Sequence, residues 1–205
     1  RTEYNEDNRF QGDADFDGTW AIWDEPFLQF YALKMSEFRE PFVSAVFTAS
    51  SHHPYAIPES YKEIYPEEEL VIHKCVRYTD HALELFFETA SQQPWFKNTL
   101  FVITADHTNL SCKPEYQTAL GGFSVPIAFY DPSGEMPVGK KEGIAQQIDI
   151  LPTVLGYLGY EKPFVAFGCD LMNTPVEDTW AINYQNGIYQ YVNGVFLFQF
   201  VGKEV

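Results

Sequence analysis

The sequence predicts an α/β layered domain with a mostly parallel sheet, and three observations carry that prediction. The stretch Thr99 to Thr108, "TLFVITADHT", runs Leu100-Phe101-Val102-Ile103 straight into Asp106-His107. A continuous apolar run fits a strand buried on both faces, whereas a half-exposed strand would alternate. Between Glu67 and Gln92 the residues Val71, Cys75, Tyr78, Ala82, Phe86 and Ala90 form one stripe along a long helix. Finally, the elements follow in the order helix, strand, loop, helix, strand, loop, strand, helix, an alternation that argues for helices layered on a sheet.

Each element has its own signals. Residues 1 to 19 are polar and acidic without periodicity and read as an irregular opening segment. Asp24-Glu25-Pro26 reads as a helix start with an Asp cap and Pro in the first turn, and Phe27, Phe30, Tyr31 and Met35 follow at helical spacing to about Phe38. "PFVSAVFTAS", Pro41 to Ser50, reads as a second buried strand, and "SHHPYAIPESY" as a Pro-punctuated loop. The long helix leaves through Gln93-Pro94 into the strand described above. "VPIAFYDPSG", Val125 to Gly134, predicts a third strand closed by an Asp-Pro turn. "IDILPTVLGYLGY" predicts a helix beginning near Leu151, capped by Asp149, with Pro152 in its first turn and Gly159 near its end. In the tail, Tyr189, Tyr191 and Val195 to Val201 surround Asn193-Gly194, a strong hairpin signal, so a small antiparallel piece is expected there.

Composition narrows the function classes. With 205 residues, 45% of them hydrophobic, the chain can bury a substantial core. Its 29 acidic against 13 basic residues give a formal charge of -16, which repels nucleic acid and anionic lipid; an anionic substrate would need local help, most simply a metal ion. Cys75, Cys112 and Cys169 are odd in number and far apart, and define neither a disulfide framework nor a zinc cluster. No apolar run approaches the roughly 20 residues needed to cross a bilayer. The start, Arg1-Thr2-Glu3-Tyr4, has neither an initiator Met nor a signal-peptide pattern, and the chain is expected to be cut from something longer.

Asp106 and His107 are the leading chemical candidates. A carboxylate oxygen and a neutral imidazole nitrogen together suit a divalent cation such as zinc or manganese, and the carboxyl ends of strands are where open α/β sheets collect ligands. A plain alternative stands beside this: an Asp capping the next element next to a packed His. His52 and His53 follow another predicted strand, and one of them could donate to a phosphate oxygen or act as acid or base, the other being structural. His73 and His81 lie within the long helix and are expected at the surface or in packing, and Asp80 there is given no site role. The sequence holds no Gly-x-x-x-x-Gly-Lys-Ser/Thr loop, Gly-x-Ser-x-Gly elbow, His-Glu-x-x-His or Gly-x-Gly-x-x-Gly, so nucleotide-binding, serine-hydrolase and zincin readings lose their main support.

With those residues in hand, the chain resembles the alkaline phosphatase superfamily, in the sulfatase-like branch containing lipoteichoic acid synthases and related phosphoglycerol transferases. "PFVSAVFTASSHHPYAIP", "YTDHALELFFETASQQPWFKNTLFVITADHT", "VPIAFYDPSG" and "QQIDILPTVLGYLGY" carry the resemblance, in the family's order, over roughly Asp17 to Leu171. It implies a partial three-layer α/β/α sandwich, the C-terminal portion of a sulfatase-like catalytic domain: an opening segment and helix over 1–40, an α/β core over 41–165 and a β tail over 166–205. It implies that Asp106 and His107 sit on a Thr-x-Asp-His metal-ligand motif. It implies that His52, in the Thr-x-Ser-x-His-x-Pro pattern from Thr48 to Pro54, meets the substrate's phosphate, and that Asp149 supports the fold.

The resemblance further implies a metal-activated hydroxyl attacking a phosphate or sulfate ester, with manganese, zinc or magnesium as the cofactor. The family's nucleophile and a further acidic ligand belong upstream of these residues, so no catalytic nucleophile is assigned here and the isolated chain is expected to be nearly inactive. Sulfatases proper place a Cys in Cys-x-Pro/Ser-x-Arg; Cys112 opens "CKPEY", with Tyr116 in place of Arg, and Cys75 opens "CVRYT". The parent is expected to be extracytoplasmic and membrane-anchored, acting on phosphoglycerol-type or other phosphate esters, some of them lipid-linked. A sulfatase, or a non-catalytic binding module with the same fold, are the alternatives.

Overall fold

The computed structural model describes residues 2–202. They form two compact units. One takes the chain up to Leu100 with Leu110–Cys112 and Asp131–Ser133; the other takes Phe101–Asn109, Lys113–Tyr130 and the chain from Gly134 onward.

The first unit is built on two helices, α2 (Asp24–Met35) and α3 (Ile72–Ala90), preceded by the short α1 (Thr2–Glu6). The predicted stripe of α3 is its buried face: Cys75, Tyr78, Ala82 and Ala90 have no exposed surface and Phe86 is 5% exposed, while Val71, just ahead of the first turn, is outside it at 41%. Burying a side chain such as Phe86 is worth about 2–3 kcal/mol, so this stripe, more than helix propensity, holds α3 in place. Tyr31 of α2 stacks on Phe86 at 6.1 Å between ring centroids. Tyr78 joins Ile57 and Cys75 in a core closed by Trp23, Tyr55, Tyr61 and Tyr65. Burial pushes the Cys75 thiol up to about 11.

Two expectations change in this unit. The opening segment is ordered: α1 and the 3-10 turn Gly12–Asp15 fold back so that Tyr4, 1% exposed, packs with Ile22 and Phe30 and donates its hydroxyl to Asp15. Aromatic residues scattered without period drew that segment inward, which periodicity cannot reveal. Pro41 to Ser50 is irregular chain instead of a buried strand, with Val43 fully exposed and Phe47 69% exposed. A strand needs a neighbour to satisfy its backbone groups, and none of the described strands pairs with this stretch.

The second unit holds the five strands found among the described residues. β1 (Phe101–Thr104) pairs with β2 (Ile127–Tyr130), Phe101 opposite Tyr130 and Thr104 opposite Ile127, and the pairing is antiparallel. The α/β class stands, but among the described residues every pairing is antiparallel, in place of the expected parallel ladder. A long irregular connection can return a strand in either sense, and mixed sheets commonly carry an antiparallel strand. β1 is also less buried than its apolar run suggested, with Ile103 37% exposed. The Asp-Pro turn after β2 forms, Ser133 N–H donating to Asp131 at 2.8 Å.

Helix α4 (Ile150–Tyr157) follows the 3-10 turn Gln147–Asp149 and ends as predicted, with Tyr160 N–H donating to the Leu155 carbonyl at 2.9 Å and Gly159 N–H to the Gly156 carbonyl at 3.1 Å. The tail is a three-stranded antiparallel meander of β3 (Trp180–Gln185), β4 (Ile188–Asn193) and β5 (Phe196–Val201). Two Asn-Gly pairs serve it differently. Asn186 (φ 52°) and Gly187 (φ 82°) make the two-residue turn from β3 to β4, both in the left-handed region that an Asn-Gly turn supplies. Asn193 instead ends β4, pairing with Phe196 across Gly194-Val195. One meander face packs Ala181 and Gln190 inward. The other carries Tyr184, Tyr189 and Phe200 as a cross-strand row, with Tyr189 and Phe200 stacked at 5.1 Å.

Candidate functional site

β1 delivers Asp106 and His107. Two residues past the strand end, Asp106 turns its carboxylate onto its neighbour: Oδ1 accepts the His107 N–H at 2.9 Å, and Oδ2 stands 3.4 Å from His107 Nε2. The His107 ring is fixed from its far side, Nδ1 lying 2.6 Å from the Thr108 carbonyl. A carbonyl only accepts, so Nδ1 carries the proton, and in the neutral ring Nε2 is the lone-pair nitrogen, on the carboxylate side. Thr108 is held in turn by its hydroxyl, which donates to the Gly122 carbonyl.

Nothing buries the pair: the side chains of His107 and Asp106 are 70% and 52% exposed. The plain alternative of a capping Asp beside a packed His does not describe this loop, because Asp106 caps no helix and the His107 ring is not packed. Two ligands in a tetrahedral zinc site, with bonds of about 2.0–2.2 Å, stand roughly 3.3–3.6 Å apart. The Oδ2 and Nε2 separation matches one edge of such a site, so the donor set present fits a divalent cation. Among the described residues no third His, Cys, Asp or Glu joins the pair.

The loop's backbone is gripped by a residue that motif reading passed over. Gln147 Nε2 donates to the carbonyls of Ala105 at 2.6 Å and Asp106 at 3.0 Å. Its neighbour Gln146 clasps β3, donating to the Trp180 carbonyl and accepting from Ile182 N–H, each at 2.8 Å. Between them and α4 sits Asp149, 1% exposed. It was expected to cap α4; instead it closes the preceding turn, Oδ2 accepting Gln146 N–H at 2.7 Å, while Oδ1 takes Cys169 N–H at 2.8 Å. That second bond needs Gly168, where a Cβ would stand 2.3 Å from the Ile148 carbonyl oxygen. Burial first, then the Asp149 charge, pushes the Cys169 thiol up.

His52 lies in the other unit and has its own setting. Its Nδ1 is 2.9 Å from the His53 carbonyl, which also receives the Trp20 indole N–H at 2.6 Å, and its ring meets Trp20 edge to face at 4.5 Å. Trp20 is 59% exposed and is held by Asp17, whose Oδ1 accepts the N–H groups of Thr19 and Trp20 at 2.7 Å and of Ala21 at 3.1 Å. His53 contributes its carbonyl to this arrangement and turns its ring to Tyr55, at 5.8 Å. Trp20 had no motif to announce it; an Asp three residues ahead of an exposed aromatic is too common a pattern.

The remaining candidates sit elsewhere. His73 lies 3.4 Å from Glu68, and His81 lies 3.2 Å from Glu84 with its ring over Tyr61. Asp80 is exposed on α3. The three cysteines are free thiols. No helix among the described residues is long and apolar enough to cross a membrane.

A sulfatase family model matches residues 2–160, more than half of the chain. The chain belongs to the sulfatase family. Among curated sulfatase-like relatives, lipoteichoic acid synthase 1 of Bacillus subtilis is 27% identical over 190 residues, covering 82% of this chain and 28% of that protein. Lipoteichoic acid synthase of Staphylococcus aureus is 26% identical over 196 residues, covering 85% and 30%. The chain thus spans under a third of these relatives' length. A solved protein of the alkaline phosphatase superfamily from Vibrio parahaemolyticus superposes with a TM-score of 0.75 at 28% identity, over 91% of this chain and 46% of that one. The lipoteichoic acid synthase of Listeria monocytogenes superposes at 0.71 with 21% identity, over 91% and 52%, and shows the shared fold.

Proposed function

We propose that this sulfatase-family chain supplies the metal-ligand pair and a phosphate-contacting histidine to a phosphate-ester transferase or hydrolase of the phosphoglycerol transferase kind. The observation that carries the reading is the exposed Asp106 Oδ2 and His107 Nε2 pair, 3.4 Å apart, with the imidazole tautomer set by Thr108. The names of the lipoteichoic acid synthase relatives support the substrate class.

The chain's own residues have separable roles in this scheme. Asp106 and His107 hold the cation, and Gln147 keeps their loop from drifting. His52, its Nδ1 proton committed to the His53 carbonyl, offers Nε2, which when protonated donates to a phosphate oxygen. A divalent cation held by the pair would supply a Lewis acid that lowers an oxygen nucleophile's pKa and offsets the substrate's negative charge in a chain of net charge -16. The nucleophile, a further acidic ligand, an extracytoplasmic location and a membrane anchor belong to the proposed parent.

Isothermal titration of manganese and zinc into the 205-residue chain, beside a phosphodiesterase assay, tests this. Weak binding that disappears in Asp106→Ala, with little turnover, is expected. Tight binding that survives the substitution would remove the pair from the metal site.

A further inference from the structure

His52 stands on a loop, and a loop has no intrinsic reason to keep an imidazole in one place. The structure supplies a reason. Asp24, the first residue of α2, is 1% exposed, and a carboxylate buried that deeply must be saturated with donors. Its Oδ1 accepts Ala49 N–H at 2.9 Å and Ser50 N–H at 3.1 Å, and its Oδ2 accepts the Thr79 hydroxyl of α3 at 2.7 Å. The grip is reciprocal, because Asp24 N–H donates to Ser50 Oγ at 3.0 Å. Three bonds therefore join this one residue to Ala49-Ser50, two residues ahead of His52. On its other side, four residues back along the chain, stands Trp20, the ring that meets His52 at 4.5 Å.

We propose that Asp24 is a positioning residue, whose buried carboxylate, anchored on α3 by Thr79, fixes the Ala49-Ser50 backbone and thereby the contact between His52 and Trp20. The functional value of that contact rests on His52 meeting phosphate; the positioning itself does not. A helix-capping role fails to account for it. The N–H groups of the first turn of α2 are taken by Ser50 Oγ and, for Glu25, by the Tyr78 hydroxyl at 3.3 Å, so the Asp24 carboxylate is left to hold the loop.

The test uses the isotope-labelled 205-residue chain and its Asp24→Asn variant, read by amide exchange and by nuclear Overhauser contacts between the Trp20 and His52 rings. Exchange at Ala49 and Ser50 should speed at least tenfold and the ring contacts should vanish, while mid-α3 amides such as that of Phe86 stay protected. If Asp24→Asn does not fold, Thr79→Val reports the same quantities in milder form, and Thr79→Ser should restore wild-type behaviour. Unchanged exchange at Ala49 and Ser50, intact ring contacts, or a loss of protection spread evenly through α2 and α3 would each overturn the proposal. Titration with inorganic phosphate, followed by calorimetry in every variant and also on the His52 ring protons where that residue is present, separates this from the functional reading. Asp24→Asn should weaken phosphate binding at least threefold, and should weaken it no further once His52→Ala is present. Additive losses count against Asp24. A wild-type His52 that ignores phosphate sinks the phosphate role alone, leaving Asp24 to be decided by exchange and ring contacts.

Discussion

Asp24 grips a segment that presents a histidine and Asp106 belongs to one, and their settings are opposite. The Asp24 carboxylate is sealed among the donors of two backbone amides and a hydroxyl, whereas the Asp106 side chain is 52% exposed and receives only its neighbour's N–H. Asp149, in the second unit, follows the Asp24 pattern, sealed and shared between two backbone amides. A carboxylate whose lone pairs are already spent on the protein builds the fold. One that keeps lone pairs toward solvent, at a strand end and next to an imidazole nitrogen, can take a ligand, as proposed for Asp106. Hydrogen-bond saturation, more than residue type or sequence position, separates the two kinds.

That contrast can be broken by substitution. Asp24→Ala should cost the most, about 3–5 kcal/mol, since it strands the part-buried amide of Ala49, the buried amide of Ser50 and the Thr79 hydroxyl; urea unfolding measures it, and a loss below about 1 kcal/mol would show that the seal is not structural. Asp149→Ala should follow at about 2–3 kcal/mol by the same measurement, for two stranded amides. Gly187→Ala should cost about 1 kcal/mol, because the turn needs its positive φ, and the thermal midpoint reports it. Asp106→Ala should leave stability within about 0.5 kcal/mol of wild type while metal affinity falls at least tenfold; a large destabilisation would move Asp106 into the structural class.

Alkaline titration sharpens the contrast from the side of burial. The Cys75 thiol is raised to about 11 by burial, and burial also raises the hydroxyls of Tyr4, Tyr61 and Tyr78. A group whose folded pKa exceeds its unfolded one contributes stability below the unfolded value and loses it as pH rises. Stability should therefore hold up to about pH 9 and decline toward pH 11 and beyond, measured as the urea midpoint, with Cys75→Ala flattening part of the decline. A midpoint that stays level to pH 11 would contradict the burial of these groups.

Much of the site was legible because its chemistry is local. Asp106 and His107 are adjacent, follow an apolar strand, and needed only the chain's bend to face one another. The stripe of α3 was legible for a related reason, since a helix repeats its burial every few residues. Trp20, Gln147 and the distant partners of Asp24 and Asp149 were hidden because their contacts join residues 20 or more apart in sequence, most of them through backbone groups, as with Gln147 and Ala105. Backbone atoms carry no residue identity, so no motif marks their partners.

By itself the sequence determined that α2, α3 and α4 become helices, that the tail turns at Asn193-Gly194, and that Asp106 and His107 stand side by side past an apolar run, since all three follow from periodicity, turn chemistry and adjacency. Only the tertiary structure decided whether an apolar run becomes a strand, as it did for β1 and did not for Pro41 to Ser50, and which aspartates are sealed. Strand pairing and burial depend on what another part of the chain brings alongside, and a residue's own neighbours in sequence do not contain that information.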